Sequence, residues 1–418
     1  MMINLWMIFG VIVSAWYLKM SLPDLLPYGP AKYVPQDKRP QFSSIDPTND
    51  SLCSKHGHLS KIVPKHKNQT FQGAETIMFD QDGEMYVMTK NADLIHVTNL
   101  IPDNNRKRNS NNNVWLADVN VVAKLGLGKS LGGKIHSDSQ KEKKKTLYFA
   151  DSVMGLARLN LKDDRPKVEL VATYLKDDTP LHFVDDIDIG TKTGHVYFSS
   201  ATDIPNYARD MKQWQTTMYN SKIDFLRGKR TGKLLRYNPD TDEVDVLLDK
   251  IWFANGVAVD KDENFVLVVE TMAARVLKYH LTGPKKGTSE VLLHNMTGYP
   301  DGVGCSITSG LCYVALYGSG SVVMEILYTL PSIVETFVRT LFMMMPLWIL
   351  PSAKAYSGIL EFDPYKGGDN NSEVRLFQDP TGKDIHSITG VTEHSGKLYL
   401  GSIVNEFIGV YDLDQSTM

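Results

Sequence analysis

One pattern recurs six times along this chain and restricts its fold more than any other feature. Each copy is a short strand, a polar turn, a second strand rich in aromatic or β-branched residues, a few small residues, and a further strand ending in polar letters. The copies are ETIMFDQDGEMYVMTKNADLIHV (75 to 97), KTLYFADSVMGLARLNL (145 to 161), DIDIGTKTGHVYFSSATD (186 to 203), GVAVDKDENFVLVVETMAARVLKYHL (256 to 281), GVGCSITSGLCYVALYGSG (302 to 320) and GVTEHSGKLYLGSIVNEFIGVYDL (390 to 413). Long helical periodicity is almost absent between them. Period-two strands joined by hairpin turns, without βαβ alternation, predict an all-β six-bladed β-propeller in which each copy is one four-stranded blade. Blades of about 55 residues fill the stretch from Phe71 onward, so residues 71–418 are expected to form the propeller. A pair of β-sandwich domains is the alternative, and the evenness of the copies argues against it.

What precedes the repeats is different in kind. Residues 1–18, MMINLWMIFGVIVSAWYL, carry no charged side chain and are followed by Lys19. Eighteen apolar residues reach the lower bound for a spanning helix, whereas a cleaved signal peptide has a basic start, a shorter apolar core and a small-x-small exit. Val13-Ser14-Ala15 offers such an exit, but the length favours an uncleaved signal anchor, a single-pass membrane helix. The body is then expected on the lumenal or extracellular side of the endoplasmic reticulum or plasma membrane. Asn-x-Ser/Thr sequons at Asn49, Asn68, Asn295 and Asn370 suit that side, as a glycoprotein. Residues 19–70, rich in Pro, Lys, Ser and Asp, are expected to be a tether wrapping onto the propeller.

In a propeller the inner strands line a central channel, so a polar residue at the start of each copy is brought toward a common axis. These residues are Glu75 in GAETIMFD, Asp185 in FVDDIDIG, Asn255 in FANGVAVD and Asp301 in YPDGVGCS. One such residue is ordinarily a turn former. Four at equivalent positions would repel one another and be costly to desolvate without a partner, and a Ca²⁺ ion, which takes six to eight oxygen ligands, neutralises them. Forty-five Lys and Arg against 48 Asp and Glu leave no basic field, which excludes a nucleic-acid role. The cluster Arg106 to Arg108 and the run Lys141 to Lys145 read as solvated loops. Three cysteines show no zinc spacing; Cys305 and Cys312 bracket a hairpin and suit a cross-strand disulfide, which leaves Cys53 over.

These motifs, together with TGKLLRYNPDTDEVDVLLDKIWFANGVAVDKDENFVLVVET, RVLKYHLTGPKKG and LFQDPTGKDIHSITGVTEHSGKLYLGS, resemble the strictosidine synthase-like family from about residue 20 to the end. The family is similar in fold to paraoxonases and other calcium-dependent six-bladed propeller hydrolases, and the resemblance implies arylesterase or lactonase chemistry at a channel calcium. It assigns Glu75, Asn255 and Asp301 as metal ligands and puts Asp185 where Asn is usual, with Asp186 as a spare oxygen source. Gly302 stands where the family often has Asn. Gly390 stands where strictosidine synthase has its catalytic Glu, so the proton shuttle that alkaloid condensation needs is missing and that reaction is not expected.

Ester or lactone hydrolysis also needs a base to activate water. The candidates are His182, three residues before Asp185; His136 in GGKIHSDS, near where paraoxonase-like enzymes place a histidine; and Asp185 itself. His386, before the last copy, is a weaker one. Residues 321–352, SVVMEILYTLPSIVETFVRTLFMMMPLWILPS, form an apolar helical insertion before the last blade, broken by three prolines and interrupted by Glu325, Glu335 and Arg339. Val334, Phe337, Leu341 and Met345 share one helical face, which suits a cap on the channel or a helix lying in a membrane interface. The expected function is a membrane-anchored, calcium-dependent hydrolase of small-molecule esters or lactones. The alternative is a non-catalytic, calcium-stabilised propeller that binds a protein or lipid.

Overall fold

The computed structural model describes residues 29–53, 58–103, 113–138, 144–206, 213–346, 348–366 and 374–413. The chain opens with β1 (Leu59–Pro64), then β2 (Thr76–Phe79), β3 (Met85–Met88), β4 (Asp93–Pro102) and β5 (Asn113–Lys124). Four separate sheets follow, each of four antiparallel strands in sequence order. The first holds β6 (Ser130–Asp138), β7 (Lys144–Asp151), β8 (Gly155–Asn160) and β9 (Glu169–Ala172). The second holds β10 (Val184–Ile189), β11 (Val196–Ser200), β12 (Gly232–Asn238) and β13 (Glu243–Ile251). β14 (Ala254–Val259), β15 (Phe265–Glu270), β16 (Arg275–His280) and β17 (Ser289–Leu293) make the third. β18 (Pro300–Cys305), β19 (Cys312–Leu316), β20 (Ser357–Phe362) and β21 (Arg375–Asp379) make the fourth. The chain ends in β22 (Ile388–His394), β23 (Lys397–Ser402) and β24 (Ile408–Asp412).

The arrangement is mostly β and propeller-like. The expectation of six separate blades is met in part: four are separate, and the remaining strands form one sheet of eight in the order β2-β3-β4-β5-β1-β24-β23-β22. The link is β1, which pairs antiparallel with β24 and parallel with β5, so it is hydrogen-bonded on both edges. Because β1 lies inside the stretch expected to be a tether, the folded body begins before Phe71. The rest of that stretch does wrap onto the sheets: Ser43 N–H donates to the Met296 carbonyl and Leu52 N–H to the Gln378 carbonyl. Residues 1–18 and the anchor expected there lie outside the described residues. No described helix is long and apolar enough to cross a membrane.

The strands follow from local sequence. All six residues of β14 and of β15 are buried, as expected for Val-rich strands covered on both faces. Ser395 and Gly396 both have positive φ, and His394 pairs with Lys397, so a two-residue hairpin of the type that favours glycine joins β22 to β23. The disulfide joins Cys305 and Cys312, which pair across β18 and β19. Cys53 is a buried free thiol. Among the sequons, Asn68 is exposed, the Asn49 amide donates to the Leu376 carbonyl, and Thr297 of the Asn295 sequon is buried; Asn370 lies outside the described residues. Lys145, expected in a solvated run, is buried and pairs with Asp80 and Asp82, each at 2.6 Å.

Three helices cover one end of the channel. Helix α1 (Gln213–Arg227) lies between β11 and β12, and α2 (Val322–Leu327) and α3 (Ser332–Met343) lie between β19 and β20. The insertion expected before the last blade thus sits inside the fourth separate sheet. Helix α1 was not legible in the sequence because it buries a polar stripe, Thr217, Asn220, Asp224 and Arg227, at helical spacing. Asp224 accepts from Thr202 Oγ1 at 2.6 Å and from Arg227 at 3.1 Å. Burial, opposed by Arg227, pushes its carboxyl up to about 7. A carboxyl raised in the folded state stabilises the fold at acid pH, and that contribution is lost as pH climbs from about 4 through about 7. The stability difference between Asp224→Asn and wild type, from urea unfolding at several pH values, should therefore shift in favour of the variant across that window. A difference that stays constant would show Asp224 ionised throughout.

Candidate active site in the central channel

The innermost strands close a ring: β2 packs on β6, β6 on β10, β10 on β14, β14 on β18, β18 on β22, and β22 returns to β2. Such close approach needs small residues. A Cβ at Gly256 would lie 2.5 Å from the Asp301 carbonyl oxygen, one at Gly302 2.4 Å from that of Thr389, and one at Gly390 2.3 Å from that of Glu75. Gly302 and Gly390 therefore stand where a side chain would not fit against the neighbouring strand of this chain. Between β10 and β14 the bridge is a side chain instead. Val257 N–H donates to Asp186 Oδ2, and Val259 N–H to Asp188 Oδ2, each at 2.9 Å. Asp186 is thereby committed to joining two strands and is not a spare ligand. Burial pushes its carboxyl up to about 7.

Five of the six inner strands slip their register against their neighbour: at Ser130/Gly133, Val184/Ile187, Ala254/Val257, Pro300/Val303 and Ile388/Gly390. A bulge re-aims side chains and ends regular pairing, and four of these irregularities hold a residue that lines the channel: Asp185, Asn255, Asp301 and Thr389. Glu75, just ahead of β2, and Lys129, just ahead of β6, join them, and all six line a cavity of about 720 Å³. The four predicted ligands are brought together. Lys129 and Thr389 were missed, although Thr389 stands, like Asn255 and Asp301, just ahead of a glycine that contacts the next strand. That signal was available in ITGV.

Three carboxylates, one amide, one ammonium and one hydroxyl make up the ring. Lys129 Nζ lies 2.5 Å from Glu75 Oε2 and is almost fully buried. Burial first, then the charges of Glu75 and Asp301, raises the Asp185 carboxyl well above its ordinary range. Asp301 is raised by burial and Glu75, against the pull of Lys129 and a hydrogen bond from Asn255. The Thr389 and Thr271 hydroxyls both line the cavity, are buried, and have no protein partner. Above the ring the wall is apolar and aromatic, with Phe183, Phe253, Met272 and Tyr299, and the mouth is made by α1 and by Trp348 to Ala353. Below it a second cavity of about 540 Å³ shares Glu75, Asp185, Asn255 and Thr389 and opens to the opposite end.

The histidines are placed elsewhere. His136 lines the second cavity, not the first. His182 lines neither; its carbonyl accepts from Ser200 Oγ, and burial lowers its ring pKa. His386 likewise lines neither cavity, and its carbonyl is taken up by Ser402 and Asn405. Of the expected bases only Asp185 reaches the ring. Among the described residues, the one group of three His, Cys, Asp or Glu whose ligand atoms lie within 4.8 Å of one another is Cys53, Asp379 and Asp384. Both Asp379 oxygens there accept backbone N–H groups, from Thr381, Gly382, Asp384 and Ile385, so the carboxylate clasps a loop without an ion.

Residues 185–284, which hold Asp185 and Asn255 and span β10 to β16, match the family model described as strictosidine synthase. The adipocyte plasma membrane-associated protein of Gallus gallus is 30% identical over 311 residues, which cover 70% of this chain and 68% of that protein. The chain belongs to the strictosidine synthase-like family. Strictosidine synthase-like protein 10 of Arabidopsis thaliana is 29% identical over 268 residues, and the match spans 66% of its length, just under two thirds. In fold, the strictosidine synthase-like chain is similar to a gluconolactonase of Xanthomonas campestris, with a TM-score of 0.50, 12% identity, and coverage of 92% of this chain and 98% of that one.

Proposed function

We propose that this chain is a calcium-dependent hydrolase of carboxylic esters or lactones, held at a membrane by its N-terminal apolar run. The observation that carries the reading is the ring of six channel residues beneath an apolar, solvent-open cavity of about 720 Å³. The ring of inner strands also supports counting the eight-stranded sheet as two blades clasped through β1, which makes six.

The donor set suits a hard divalent cation. Three carboxylates against one ammonium leave the ring two negative charges from neutrality, its donors are oxygens, and two unpartnered hydroxyls face the same space. Glu75, Asp185, Asn255 and Asp301 would hold the ion. A bound calcium ion supplies Lewis acidity toward the substrate carbonyl and its oxyanion. The chain's own residues do the rest. Lys129 fixes the Glu75 carboxylate by direct pairing, and Phe183, Phe253, Met272 and Tyr299 take the apolar part of the ester and exclude water around it. Asp185 is assigned to accept the proton of the attacking water, since it alone of the expected bases lines this cavity.

The second reading, a calcium-stabilised binding module, is favoured by the absence of any histidine from the cavity lining. Both readings require the ion. Adding calcium to chelator-treated protein should raise its melting temperature, with a stabilisation of about 2.7 kcal/mol when free calcium is about a hundred times its Kd. Equal melting temperatures with and without calcium would remove the metal from both readings. Hydrolysis assays separate them.

A further inference from the structure

Helix α3 is packed inside out. Its buried positions are Glu335, Arg339 and Met343, and the two charged side chains are fully buried. Glu335 accepts from Arg339 Nη1 at 3.2 Å and from Arg39 Nη2 at 2.6 Å. Arg339 also donates to the carbonyl of Phe225 at 2.8 Å and of Lys32 at 3.2 Å. Charges are turned inward at a cost only excellent geometry offsets, while several apolar residues of α2 and α3 are turned outward. Ile333 and Val334 of α3 are 72% and 39% exposed, and Ile326 and Val322 of α2 are 58% and 48% exposed. Trp348, just after the helix, is 82% exposed and lines the mouth of the channel cavity. Exposed apolar residues gathered on two consecutive helices and the segment after them mark an interaction site.

We infer that this face docks on a lipid bilayer and sets the cavity mouth against it. Two further observations select lipid as the occupant. First, the described chain begins on this face: Ala31 N–H donates to Thr340 Oγ1 of α3, and Lys32 N–H to the Arg227 carbonyl of α1. Twelve residues separate Leu18, the end of the uncharged apolar run, from Ala31, and fully extended they span at most about 40 Å. A membrane holding that run is therefore always within reach of α3. Second, the rim carries exposed aromatics with polar tips, Trp348 and Tyr33, the residue types that settle at the headgroup level. An amphipathic helix of this sort rests about 5–10 Å into the headgroup and acyl boundary. Docking of α3 rests on the proposed membrane anchoring of the N-terminal run and does not depend on the hydrolase reading. If both hold, the substrate class is lipophilic, because the cavity then opens toward the bilayer.

The test uses the full chain reconstituted in phosphatidylcholine vesicles, with an environment-sensitive fluorophore on Ile333→Cys or, as reference at the opposite channel mouth, on Thr191→Cys. The native cysteines do not compete, since Cys53 is buried and the other two form the disulfide. The label at 333 is expected to emit at shorter wavelength than the label at 191 and to be quenched by lipids brominated high on the acyl chain, while the label at 191 is not. Ile326→Glu in the 333-labelled protein should abolish that quenching without lowering the melting temperature. Solvent-like emission at 333 would overturn the proposal. So would a shielded label that brominated lipid leaves unquenched, since the face would then be covered by protein, either another part of the chain or a second copy.

Discussion

Glu335→Ala is expected to destabilise the fold by about 3–5 kcal/mol, the cost of removing one partner from a buried ion pair. The wild-type carboxylate serves two guanidinium groups, Arg339 fully buried and Arg39 nearly so. Truncation leaves both beside a cavity, Arg339 where water does not reach and Arg39 at its partly exposed edge. Arg339 keeps its carbonyl acceptors on Phe225 and Lys32, which limits the loss but does not neutralise the charge. Replacing Glu335, Arg339 and Arg39 together by apolar residues of similar volume should recover most of the stability, because the desolvation cost disappears with the charges. Urea unfolding of the single and triple variants measures both. A loss below about 1 kcal/mol for Glu335→Ala would place the cluster among solvent-screened pairs and contradict its burial.

Asn255→Ala and Glu75→Gln should each lower ester or lactone turnover by a hundredfold or more at saturating calcium, normalised to folded protein, since the first removes a proposed ligand oxygen and the second a proposed ligand charge from the ion that would stabilise the developing oxyanion, an effect of several kcal/mol. The two should differ in detail. Asn255 hydrogen-bonds to Asp301, so its truncation also frees a carboxylate already raised by burial. Glu75→Gln instead leaves Lys129 without its paired charge at 2.5 Å and alters the ring's balance by one unit. In a binding module both substitutions would move only the melting curve and its calcium dependence. Wild-type turnover per folded molecule in both variants would remove the ring from catalysis.

The sheets and the four acidic and amide channel residues were readable because both rest on local pattern. Period-two strands and glycine turns announce hairpins wherever they occur, and the polar residue ahead of each apolar strand repeats at fixed phase. Lys129 escaped because a lysine does not look like a ligand and because it stands three residues ahead of Gly132, whereas Asn255 directly precedes Gly256. Helix α1 and the orientation of α3 escaped for a deeper reason. Reading amphipathicity assumes that the apolar stripe faces inward, and here α1 buries Thr217, Asn220, Asp224 and Arg227 while α3 buries Glu335 and Arg339. The partners that make this tolerable, Thr202, Arg39 and the Phe225 carbonyl, are remote in sequence or on another element. Neither His136 nor His182 reaches the ring-side cavity, because His182 stands ahead of β10, beyond Phe183 with its positive φ, and because β6 carries His136 past the ring to the second cavity.

The central claim is that the channel ring hydrolyses esters or lactones with the help of a divalent cation. Its most direct test is the turnover of phenyl acetate and a panel of lactones by the purified protein, before and after EDTA treatment and again after calcium is restored. The account predicts turnover that chelation abolishes and calcium returns. Turnover that survives complete chelation, or none on any ester or lactone with calcium present, would contradict it.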